Sequence, residues 1–235
     1  RENRIHVLAG LVERAGDKLY NTYVCVNGDG VVASYRKLHP FISEYLSPGN
    51  EYVTFKIEDW TCGILICYDN NIVENVRATT LLGAEVIFAP HVTMLTPSDM
   101  PGRGYVEDEV WQNRELDPVL VRQEFDGPKG REWLMRWLPA RAYDNGIYYC
   151  FTNPIGYDGE HLKNGNACII DPYGELLAET RELGDSYCLA TIDVAKLEKS
   201  GGYRYIQARR PELYRDILGK SNHGQTETSW LKRKK

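Results

Sequence analysis

The sequence has no Cys-x-x-Cys pair, no apolar run able to cross a membrane, no repeat of solenoid period and no low-complexity segment. Its six cysteines, at 25, 62, 67, 150, 168 and 188, are scattered, four of them in apolar strand-like runs. That usage fits a reduced, cytoplasmic protein better than a disulfide framework or a zinc site. A positive excess is also lacking. Lys and Arg number 28 against 33 Asp and Glu, a net charge of −5, which argues against nucleic acid as the main partner. The basic end, Leu231 to Lys235, reads as a solvated tail.

What is present is an ordinary globular composition: 235 residues, 43% hydrophobic and 26% charged. This is enough for one α/β domain over 1–235 with a polar tail from 219. The chain starts without Met and runs from Arg1–Arg4 straight into a strand at Ile5. An upstream segment is therefore expected, and the lack of a signal segment excludes nothing.

Thr61 to Thr93 organises the rest. Gly63 to Ile66 reads as a buried strand that reaches Cys67. A helical period follows at once, with Val73, Val76, Thr80 and Leu81 on one face and Gly83 as its end. Glu85 to Ala89 reads as the next strand. A thiol at the C-terminal lip of a strand sits where open α/β sheets bind ligands. A helix N-terminus there would favour the thiolate. A buried inert cysteine is the bland alternative.

Further strands are predicted over Ile5–Val12, Tyr20–Asn27, Val31–Tyr35, Tyr52–Ile57, Gly146–Thr152, Asn164–Asp171, Leu176–Thr180 and Cys188–Asp193. Asn27 to Gly30 and Asp171 to Gly174 supply hairpin turns. Lys37, before His39-Pro40, could leave its sheet toward a cleft, since the proline ends the pairing. Otherwise it is a surface lysine. Thr93 to Pro118 is a long, Pro- and Gly-punctuated excursion with a short helix-like stretch. Helices are expected over Gly130–Asn145, kinked or restarted at Pro139, and over Val194–Lys199 and Arg209–Leu218.

Together YRKLHPF (35–41), CGILICYDNNIVENVR (62–77), ARAYDNGIYYCFTN (140–153), DPYGELLAE (171–179) and RRPELY (209–214) resemble, in order and spacing, the nitrilase superfamily of carbon-nitrogen hydrolases. The likeness runs from Val7 to about Leu218. It implies a four-layer αββα sandwich of α/β class, here without its first strand and helix, and a Glu-Lys-Cys triad. Lys37 matches the triad lysine, Cys67 the nucleophile, and Glu44 a second glutamate of many members. The family's catalytic base lies ahead of the strand that starts here at Ile5. The expectation is that this chain lacks it and is crippled alone. Glu13 is not promoted in its place.

The implied chemistry is attack of Cys67 on an amide, N-carbamoyl or nitrile carbon, a thioester, and release of ammonia. Lys37 and the backbone N–H of Tyr68 would hold the oxyanion, and Glu44 would hold Lys37 or place the substrate. No metal or organic cofactor is required. Cys67-Tyr68-Asp69 looks like the amidase and N-carbamoyl amidohydrolase branches; the true nitrilases carry Cys-Trp-Glu. Specificity is expected from the loops 94–122 and 153–164. The expected partners are a small amide or nitrile and further copies of the chain, with neither nucleic acid nor membrane. Two other readings stand beside this one. One is a thiol enzyme using His39 or His91 as base, although no Asn or Asp is clearly placed to orient either. The other is an inactive fragment acting as an interaction module.

Overall fold

The structure is a computed structural model and describes residues 5–40, 43–93, 104–159 and 161–220. The chain opens with an antiparallel meander, β1 (Val7–Ala15), β2 (Lys18–Asn27) and β3 (Gly30–Arg36). Its second turn is closed by Asn27, whose side chain accepts from Asp29 N at 2.9 Å, while Gly30 takes a φ of 133°. Next come β4 (Thr54–Ile57), β5 (Trp60–Ile64) and α1 (Val73–Leu81), then β6 (Val86–Pro90). The excursion holds α2 (Asp108–Gln112) and α3 (Pro118–Asp126). Then follow α4 (Arg131–Met135), α5 (Leu138–Tyr143), β7 (Tyr148–Thr152), the hairpin β8 (Ile155–Asp158) and β9 (His161–Asn164), β10 (Cys168–Ile170) and β11 (Leu176–Glu179). The chain ends in α6 (Ala195–Lys199), α7 (Gly201–Gln207) and α8 (Pro211–Leu218).

Six strands form one sheet in the order β11-β10-β7-β6-β5-β4, with β5, β6 and β7 parallel. Successive residues of β5 show its two faces. Cys62 joins the core shared with Cys25, Ala33 and Tyr35 of the three-stranded sheet. Gly63 faces α1, and a Cβ there would come within 2.5 Å of Thr79 Cγ2. Glycine is what lets the helix sit this close. Val76 of α1, Leu134 of α4, and Leu138 and Ala142 of α5 complete the same core. The layers are thus three strands, six strands and helices. They correspond to three of the four layers of an αββα sandwich. A second apolar cluster joins Trp111, stacked on Phe125 at 5.6 Å, to Leu162 of β9.

Several expectations are corrected. Cys67 does not enter the long helix directly; a 3-10 turn, Cys67–Asn70, intervenes. On α1 the buried residues are Asn75, Val76, Thr79 and Thr80, while Val73 and Leu81 are exposed. Cys188 to Asp193 forms no ladder, because its polar anchor is Tyr148 OH, donating to Asp193 O at 2.8 Å, rather than a strand. The helix before β7 breaks ahead of Pro139, as Pro at a helix start dictates. The hairpin β8–β9 and helices α3 and α7 carried no clear signal in the sequence. Residues 94–103 of the expected specificity loop and the basic end of the tail lie outside the described residues.

Candidate active site

Cys67 follows two extended residues beyond β5 and takes a φ of 50°. A non-glycine residue held left-handed costs on the order of 1–3 kcal/mol and persists only where its surroundings enforce it. Here they do. Asn70 Nδ2 donates to Leu65 O at 2.7 Å and to Cys67 O at 3.1 Å, and Asn70 Oδ1 accepts from Tyr149 OH. Arg141 donates to Asn70 O at 2.9 Å and to Asn71 O at 3.0 Å. Asn75 Nδ2 closes the turn on Asp69 O at 3.0 Å. Cys67 itself is half-buried, whereas burial pushes the thiols of Cys62, Cys150 and Cys168 up to about 12.

Lys37 follows the last residue of β3 and is only 4% exposed. It has not left its sheet: its N donates to Asn21 O at 2.8 Å. Its carbonyl accepts from Gly49 N at 2.8 Å, and a Cβ on Gly49 would lie 2.2 Å from Arg36 O. The Pro48-Gly49 signal therefore marks a close return of the chain to the lysine.

Asp69 joins the two segments. Its carboxylate is fully buried and accepts four hydrogen bonds, from Tyr35 OH at 2.8 Å, Leu38 N at 3.1 Å, and His39 N and Nδ1 at 2.9 and 2.8 Å. A residue two positions after Cys67 thus grips the two residues after Lys37. Burial, with the Asp69 charge behind it, pushes the Tyr35 hydroxyl far up. The expectation that no acid orients His39 is overturned, since Asp69 does so. Tyr68, next to Cys67, meets the His39 ring edge-on at 6.2 Å. His91, at the end of β6, packs against Phe151 and Trp137 at 4.9 and 5.4 Å.

The other carboxylates stand apart. Glu44 is exposed on a turn. Glu13 lies inside β1, where hydrogen bonds from Arg36 and Thr22 hold it down to about 2. Among the described residues no group of three or more His, Cys, Asp or Glu could hold a metal ion. Asp69, Asn70, Arg141 and Tyr149 were missed as supports; they stand inside CYDNN and ARAYDNGIYY, so position in those strings was the available signal.

The carbon-nitrogen hydrolase model matches residues 1–200. The chain belongs to the carbon-nitrogen hydrolases. Among its relatives in this family are an (R)-stereoselective amidase of Pseudomonas sp, 28% identical over 214 residues, and N-carbamoylputrescine amidase of Solanum tuberosum, 26% identical over 235. These matches cover 89% and 93% of the chain, and 66% and 70% of the relatives. The chain thus spans about two thirds of the length of such relatives. An amidase of the nitrilase superfamily from Nesterenkonia AN1 shares the fold, with a TM-score of 0.67 at 21% identity, over 93% of this chain and 70% of that one. A variant of that amidase adds the acetamide moiety of fluoroacetamide at its active-site cysteine.

Proposed function

We propose that this hydrolase cleaves a non-peptide C–N bond, of an amide or N-carbamoyl group, through a thioester on Cys67. The observation that carries the reading is the Asp69 joint, which fixes the Lys37 segment against the strained Cys67 turn. Sγ attacks the carbonyl carbon as the thiol gives up its proton, Lys37 and the Tyr68 N–H meet the oxyanion, and the C–N bond breaks with that proton passing to the nitrogen that leaves as ammonia. Water then releases the acid. Glu44 serves substrate placement. The amidase relatives and the Cys67-Tyr68-Asp69 string support amides over nitriles. Six unpaired cysteines support a reduced cytoplasmic setting, and self-assembly belongs to the same proposal.

The test is intact-mass and peptide mapping after incubation with fluoroacetamide or 4-nitrophenyl acetate. The adduct is expected on Cys67, absent in Cys67→Ala and retained in Cys62→Ala. An adduct that survives Cys67→Ala removes the assignment. A second reading is favoured by the 2.8 Å His39–Asp69 contact: His39 as the base, oriented by Asp69. In that case His39→Ala abolishes acylation and removes a limb of the pH–rate profile.

A further inference from the structure

The parallel strands β5, β6 and β7 end, and the antiparallel β10 begins, on the same edge of the sheet. Ile64 pairs with Phe88, Pro90 with Thr152 and Phe151 with Cys168. Cys67, His91, Asn153 and Asn166 lie just outside these strand ends, following the row β5, β6, β7, β10 along one edge. Neighbouring strands lie about 4.8 Å apart, so β7 stands roughly 10 Å and β10 roughly 14 Å from β5. That edge is the C-terminal lip of β5, β6 and β7, where α/β sheets bind ligands.

The far end of this row is polar, buried and incompletely paired. Asn153 has a fixed orientation: its Oδ1 accepts from Thr93 N at 2.7 Å and its Nδ2 donates to Gly165 O at 2.7 Å. The same Nδ2 donates to Asn164 Oδ1 at 3.1 Å. Asn164 must therefore present its Nδ2 as the spare group. Asn164 is 1% exposed and Asn166 is 5% exposed. Among the described residues, Asn164 Nδ2 and Asn166 Oδ1 have no hydrogen-bond partner. Leaving a donor and an acceptor buried without partners costs on the order of 1–3 kcal/mol each. Asn166 adds strain, with a φ of 73°. Unpaired groups and strain gathered beside a reactive edge mark a binding device.

We propose that Asn164 and Asn166 form a distal subsite that holds a second, neutral amide-type group of the substrate, roughly 10–14 Å across the sheet from the bond that Cys67 attacks. A carboxamide or ureido group offers an oxygen to Asn164 Nδ2 and an N–H to Asn166 Oδ1. An alkyl end satisfies neither asparagine. A carboxylate has no hydrogen for Asn166, and an ammonium has no acceptor for Asn164. The inference rests on the Cys67 reading and narrows its substrate to elongated bifunctional amides.

The test uses 4-nitrophenyl esters of acyl chains ending, roughly 10–14 Å from the ester carbonyl, in carboxamide, carboxylate, ammonium or isopropyl. Acylation of Cys67 is followed by intact mass. In the wild type the carboxamide probe is expected to exceed the isopropyl probe about tenfold in second-order rate, as hydrogen bonds of ordinary strength allow. Asn164→Ala should bring that ratio near one. Asn164→Asp keeps the acceptor for Asn153 but replaces the donor, so it should move the preference to the ammonium probe. A wild-type ratio near one overturns the subsite, whether or not the variants fold; so does a ratio unchanged in folded Asn164→Ala. Binding of the matching unreactive primary amides to Cys67→Ala, by titration calorimetry, separates the two claims. Preferential binding of the diamide with no acylation of Cys67 in the wild type removes the nucleophile reading and leaves the subsite. Acylation without any diamide preference does the reverse.

Discussion

The two sheets each carry half of the candidate site and support it differently. Cys67 leaves a sheet covered on both faces, in which Ile64, Ile87, Ala89 and Tyr149 are fully buried. Lys37 stands at the end of a three-stranded sheet with one face on that core and the other open, exposing Val7, Leu11 and Val31. Each sheet has its own carboxylate joint. Glu13, on the open sheet, pairs with Arg36 where water still reaches both. Asp69, between the sheets, is sealed. A doubly covered sheet can hold a strained residue by itself. A half-covered one has to be tied to it, and Asp69 is the tie.

The comparison breaks most visibly in activity at Lys37. Lys37→Arg should lower Cys67 acylation about 10²- to 10³-fold, the scale of losing one oxyanion donor. A wide planar fork does not replace a compact ammonium at one oxygen. Near-normal acylation by Lys37→Arg would exclude the oxyanion role. Asp69→Ala tests the tie itself. It strands Tyr35 OH, Leu38 N and His39 N, and should cost at least about 3 kcal/mol in urea unfolding. A loss below 1 kcal/mol, on the order of one surface contact, would show that the sheets hold each other without it.

The two faces are contrasted by a pair of truncations. Ile87→Ala opens a cavity in the shared core and should cost about 2–5 kcal/mol, while Val31→Ala on the open face should stay within about 0.5 kcal/mol. Equal losses would mean that the outer face is covered in solution. The smallest effect belongs to Glu13. Its carboxyl is held from an ordinary 4.5 down to about 2, first by the Arg36 hydrogen bond and then by Thr22. Its contribution is therefore complete above pH 4.5 and is lost as the pH falls toward 2. Melting temperatures of wild type and Glu13→Gln should converge across that window. A gap that stays constant down to pH 2 would contradict the assignment.

The sequence by itself determined the local pieces. Turn glycines and asparagine placed the β2–β3 hairpin, Pro139 placed the helix break, and apolar runs placed β6 and pointed to β5, which spans Trp60–Ile64 rather than the expected Gly63–Ile66. Each of these depends on period and turn chemistry within about ten residues, which the sequence displays directly. The motif strings also carried the family, because their spacing encodes that order of pieces. Only the tertiary structure decided the partners. Asp69 meets Leu38 and His39 from thirty or so residues away, Tyr149 meets Asn70 across 79 positions, and Asn164 meets Asn153 through a hairpin the sequence did not announce. Such contacts depend on strand register and on which faces the layers bury. Those are set by the packing of segments far apart in the chain, so no local pattern could specify them.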